Sequence, residues 1–130
     1  MSNQSNNSPI SAVWDNFLTD ADAPEGFKYR DTFPENKEGV TVLLETWEAG
    51  TVEDPHHHPH DDMTVMIEGK MHIVFYIREN SVLVKDGEEL TLNQGETGYI
   101  AANRIHSATY IDTCKIVYVQ DKEFGFIEDQ

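Results

Sequence analysis

Residues 50–69 read GTVEDPHHHPHDDMTVMIEG. Four histidines fall within five positions, two aspartates follow, and a glycine stands at each end. Such a stretch is a metal site, a proton-transferring cluster or a solvated loop, and strand parity is the first discriminator. Alternate residues of a strand share a face. His56 and His58 therefore project together, and His57 points the other way. His60 keeps their parity but lies past Pro59, where the chain bends, and reads as a solvated turn residue or an outer support of the site. Asp62 opens a further strand, DMTVMIEG, whose parity places Asp62, Thr64 and Met66 on one face. Nitrogen and carboxylate donors together suit a first-row divalent metal.

The flanking sequence is β in character. KMHIVFYIREN (70–80) alternates Met71, Ile73, Phe75 and Ile77 against His72, Val74, Tyr76 and Arg78. SVLVKDGEELTL (81–92) reads as a hairpin turning at Asp86–Gly87. VTVLLETW, GETGYIAANRIHSATY and CKIVYVQDKEFGFI supply further strands, and a short edge strand is expected at Phe27–Arg30. SAVWDNFL (11–18) puts Val13, Trp14, Phe17 and Leu18 on one helical face behind a Ser11 cap, so one short helix is predicted there. Many short strands with one helix argue for a β-sandwich or barrel.

Composition narrows the function. A chain of 130 residues, 38% apolar and 25% charged, suits one globular domain. Its first ten residues are a polar stretch expected to be disordered, leaving 11–130 as a single domain. The net charge of −15 opposes binding to nucleic acid or to anionic membranes. No apolar run approaches the about 20 residues of a membrane span, and the N-terminus lacks the features of a secretory signal. The expected location is the cytoplasm. The single cysteine, Cys114, excludes an internal disulfide and lies in an apolar run, where it reads as a small buried hydrophobe.

Two stretches together resemble the cupin family. The first runs Gly50, five residues, His56, one, His58, three, Asp62, six, Gly69, with Asp in place of the usual Glu. The second runs Gly95, five residues, Ala101, one, Asn103, two, His106, keeping the spacing while replacing Pro and Gly. Asn is a mild replacement because it tolerates the left-handed conformation that Gly often supplies. The resemblance implies an all-β double-stranded β-helix, a jelly-roll barrel. It implies one divalent transition metal per chain (Mn, Fe, Ni or Zn) on His56, His58, Asp62 and His106. Asp is one methylene shorter than Glu, so three histidines and water are the alternative ligand set. A mainly apolar interior around Thr64, Met66 and Val74 is expected, with His72, Tyr99 and Tyr118 as further pocket candidates. The implied function is a metal-dependent oxygenase, or an isomerase or lyase of a sugar-like acid. A non-catalytic barrel that binds or senses a small ligand is the alternative. A homodimer, built through residues 13–30 or an outer sheet face, is the expected assembly.

Overall fold

The computed structural model describes Trp14, Asp15 and residues 17–31 and 38–130. The expected tail over 1–10 and the Ser11 cap lie outside the described residues. Eleven strands are described: β1 (Phe27–Asp31), β2 (Thr41–Trp47), β3 (Val52–His57), β4 (Asp62–Glu68), β5 (Met71–Glu79) and β6 (Val82–Lys85) come first. They are followed by β7 (Leu90–Leu92), β8 (Thr97–Ile100), β9 (His106–Tyr110), β10 (Cys114–Gln120) and β11 (Ile127–Glu128). One sheet has the order β1-β2-β10-β4-β8, the other β11-β3-β9-β5-β6, with β7 also on β5. Every pairing is antiparallel, and the two sheets enclose one core.

Alternation explains why these segments face each other. In β10, Cys114, Ile116, Tyr118 and Gln120 are all buried while the residues between them are half-exposed. They meet Leu43 and Trp47 of β2 and Met66 of β4 within their own sheet, and Met71, Ile73, Ala108 and Tyr110 from the other. Cys114 is wholly buried, and its thiol donates toward the Lys70 and Asp112 carbonyls, as a core residue would. Gly69, between β4 and β5, has φ +101°, and a Cβ there would collide with the Thr113 carbonyl.

Two expectations are corrected. No helix is present among the described residues. Leu18 instead makes an antiparallel bridge with Tyr29, through bonds of 2.8 and 3.0 Å, so the chain at that point extends along the edge of β1. Residues 11–13 and 16 of the predicted helix lie outside the described residues, so the correction concerns its C-terminal end, where pairing with a sheet edge wins over a short amphipathic pattern. The 81–92 hairpin is also displaced. β6 pairs with β5, across a turn whose Asn80 and Ser81 have φ of 51° and 66°. Positive φ at both central residues is the two-residue turn that matches strand twist. Asp86–Gly87 is still a turn, but it carries the chain from β6 to β7, and both strands lie along β5 rather than on each other.

Candidate metal centre

Register builds the site. His56 of β3 stands opposite His106 of β9, with ring centroids 4.3 Å apart. His58, just past β3, brings its ring within 5.0 Å of His56 and 5.5 Å of His106. All three side chains are buried, and one ring nitrogen of each lies within 4.8 Å of the others. The second cupin-like stretch closes onto the first through Asn103, whose φ is 65° and whose amide donates to the His58 carbonyl at 2.7 Å. The left-handed turn that the sequence suggested at Asn103 is therefore present.

The opposite nitrogen of each ring is committed to backbone. Nδ1 of His56 bonds to the Asp54 carbonyl at 2.7 Å, that of His58 to Gly125 at 2.6 Å, and that of His106 to Arg104 at 2.8 Å. A carbonyl oxygen only accepts, so each Nδ1 carries the proton and the lone pair of the neutral ring is at Nε2. Burial lowers His58 to about 4 and His106 to about 3, the latter helped by neighbouring His56, so both stay neutral at physiological pH. Three buried imidazoles with fixed tautomers are the donor set a divalent ion needs.

Asp62 stands at the side of this group and outside its common reach. Its Oδ2 is 3.9 Å from His58 Nε2 and accepts from the Tyr118 hydroxyl at 3.2 Å. Its Oδ1 is buried with no hydrogen-bond partner. Burial raises the carboxyl to about 7, against the lowering effect of the Tyr118 bond. Gln120, also fully buried, donates to the Tyr118 oxygen at 2.9 Å and accepts from the Gly125 amide at 2.9 Å, which ties the C-terminal segment to the site.

The three histidines open into a cavity of about 550 Å³ lined also by Asp62, Thr64, Met71, Ile73 and Tyr118. Of the pocket candidates, Thr64 and Tyr118 line it. Met66 is fully buried in the core but does not line the cavity. His72 lies at the other face of β5, bonded to Thr91 at 2.9 Å and Glu89 at 2.5 Å, and Val74 shares that outward parity. Tyr99 is 62% exposed on the outer face of β8. These three are corrections, and in each case strand parity turns the side chain away. His57 points outward, as expected, yet it is not merely solvated, because Asp129 accepts from its Nδ1 at 2.7 Å. His60 is half-buried in the turn before β4.

Sequence reading missed two carboxylic acids of the cavity. Glu45 shares inward parity with Leu43 and Trp47 on β2, and its Oε1 accepts from Trp47 Nε1 at 3.0 Å. Burial pushes its carboxyl up to about 8. Glu53 accepts from the Tyr110 hydroxyl at 2.7 Å, and its other oxygen lies 3.9 Å from His56 Nε2. Simple alternation cannot put Glu53 and His56 on one face. A bulge does: β3 slips register between them, two residues (Asp54 and Pro55) opposing Ser107 alone. Pro55 itself marks such a ladder defect, and that was the available signal. Phe124 and Phe126 were also missed. The Phe126 ring stacks on His56 at 4.6 Å, and Phe124 stands 5.9 Å from His58.

No family model matches the chain, and no curated protein matches it in sequence. Solved structures do. KdgF from Halomonas sp. has 15% identity over 83% of this chain and 89% of its own, with a TM-score of 0.61. A cupin superfamily protein from Desulfitobacterium hafniense DCB-2 has 13% identity over 78% and 82%, with a TM-score of 0.61. An oxalate oxidase has 17% identity over 92% of this chain and 62% of its own, with a TM-score of 0.64. Two facing antiparallel sheets around a histidine-lined cavity thus define a jelly-roll β-barrel. More particularly, the chain has the cupin fold.

Proposed function

We propose that this chain is a metal-dependent enzyme acting on a small oxygenated organic molecule. One divalent transition ion (Mn, Fe, Ni or Zn) is held by His56, His58 and His106, with Asp62 beside it. The observation that carries this reading is the uniform commitment of three buried Nδ1 atoms to carbonyls, which leaves three Nε2 lone pairs for one ion. An ion held by these residues would supply Lewis-acid or redox chemistry.

The chain's own residues supply the rest. Asp62 keeps a buried carboxyl oxygen, Oδ1, without a hydrogen-bond partner beside the three histidines, a position that suits a group passing a proton to or from substrate. Tyr118 donates to Oδ2 and fixes the carboxyl plane. Phe124 and Phe126 cover the histidine rings and keep bulk water from them. The shared fold of an oxalate oxidase supports an oxidative branch of this reading, and isomerase or lyase chemistry is the other branch. In this reading the protein works in the cytoplasm as a homodimer. The test is elemental analysis of tag-free protein, followed by dioxygen-uptake screens on diketones and phenols and a keto-uronate screen. Turnover by the loaded protein that chelation abolishes supports the enzyme. Saturable binding without turnover supports a sensing barrel instead, and absence of bound metal overturns both.

A further inference from the structure

We propose that the cavity is built for an organic cation: its substrate carries a protonated amine, seated between Glu45, Glu53 and Asp62. This names the substrate class of the same site and rests on the reading of that cavity as the binding site. Glu45, Glu53 and Asp62 all line the cavity, and among the described residues no lysine or arginine does. Acid groups continue around it, with Asp20, Asp22, Asp54 and Glu128 in its wall. A carboxylate substrate would find no cationic side chain in this surround and would have the bound ion alone as its counter-charge, against the repulsion of the surrounding acids.

The hydrogen-bonding state of the acids points to a donor as the missing partner. Asp62 is 4% exposed, and its Oδ1 is buried without any partner. Glu45 is 7% exposed, with one oxygen occupied by Trp47 Nε1, and Glu53 has one oxygen occupied by the Tyr110 hydroxyl. Each of the three therefore has an oxygen not engaged by another side-chain donor, and a cation seated beside Glu45 would displace the proton that burial otherwise keeps on it. A buried acceptor without a donor is costly, and an ammonium group brings three donors with opposite charge. The remaining wall, with Phe27, Trp47, Tyr110 and Ile73, is apolar and takes the hydrocarbon part of such a molecule.

The test uses three probes matched in shape: 3,3-dimethylbutylamine, 3,3-dimethyl-1-butanol and 3,3-dimethylbutanoate. Each is titrated calorimetrically into zinc-loaded and into chelator-treated protein at neutral pH. The amine is expected to bind about ten-fold or more tighter than the alcohol, with the carboxylate weakest, in both forms. Glu45→Gln and Glu53→Gln keep the acceptors that Trp47 and Tyr110 need, and each should weaken the amine more than the alcohol and so cut the amine preference. Tighter binding of the alcohol or the carboxylate overturns the proposal, as does an amine preference that survives both substitutions. Amine binding in a protein that takes up no zinc would sink the metal reading and leave this one standing. Zinc uptake with no amine preference would do the reverse.

Discussion

The six histidines of this chain take up different roles because backbone geometry sorts them. His56, His58 and His106 give up Nδ1 to carbonyls and converge at Nε2. Replacing any one with Ala should abolish stoichiometric metal binding, read by competition with a coloured chelator. His57→Ala removes a bond to Asp129 and no ligand nitrogen, so metal stoichiometry should persist. Equal loss in His57→Ala and His58→Ala would show a surface histidine cluster instead. Burial also makes stability depend on pH in opposed directions. Glu45 has a folded value of about 8 against an ordinary 4.5, so the native state holds a proton that the unfolded chain releases. Its contribution is present at acid pH and is lost as pH rises through 8. His58 and His106 work the other way: at about 4 and about 3 against 6.5, they stay neutral in the native state while the unfolded chain gains protons below 6.5. Their effect is stability lost as pH falls below 6.5. Metal-free Glu45→Gln should therefore gain melting temperature relative to wild type as pH is raised from about 5 to about 8, near the slope of about 1.4 kcal/mol per pH unit for one proton. A difference that does not change with pH would show that Glu45 is not held protonated.

At the scale of elements, the C-terminal segment is the least predictable part and closes the site. β11 pairs with His56 and His57 of β3, and Asp129 accepts from His57 and, at 3.2 Å, from Arg78. Burial pushes the Asp129 carboxyl up, but the bonds from His57 and Arg78 outweigh it and hold the group below its ordinary value. Gly125 sits where a Cβ would lie 2.5 Å from Pro59 Cγ, and its carbonyl receives His58 Nδ1. Gly125→Ala must push the segment off Pro59. The expected cost is about 1–3 kcal/mol of stability, as for other overpacked sites. Metal affinity should fall by about 10-fold or more as His58 loses its orienting carbonyl. Chemical denaturation and metal competition on the same variant check both, and unchanged affinity would detach this segment from the site. None of this was legible beforehand. The strands of β4 and β10 could be read because their alternation is unbroken, and the histidine spacing could be read because His56 and His58 share parity. Glu53 escaped because a bulge breaks parity between it and His56, and Glu45 because an acidic residue on a strand is normally turned to water. The 81–92 segment was misjudged because the Asp-Gly signal competes with an Asn80–Ser81 turn of the type that best matches strand twist.

For the molecule as a whole, the net charge of −15 and the acid-lined cavity describe one field that attracts cations. The exposed outer face around Met63 and Tyr99 leaves surface that a second copy can cover. Light scattering should return twice the 14.8 kDa of the chain, and a mass that stays at the single-chain value across micromolar concentrations would refute the homodimer. Metal binding to the folded barrel alone should stabilise it by about 2.7 kcal/mol at a free concentration 100-fold above the dissociation constant. The central claim is that His56, His58 and His106 form one buried site for one ion, and elemental analysis of tag-free protein beside tag-free His106→Ala tests it most directly. The account predicts one transition-metal equivalent per chain in the first and almost none in the second. Equal metal content in the two proteins, or none in either after incubation with zinc, manganese, iron and nickel, would contradict it.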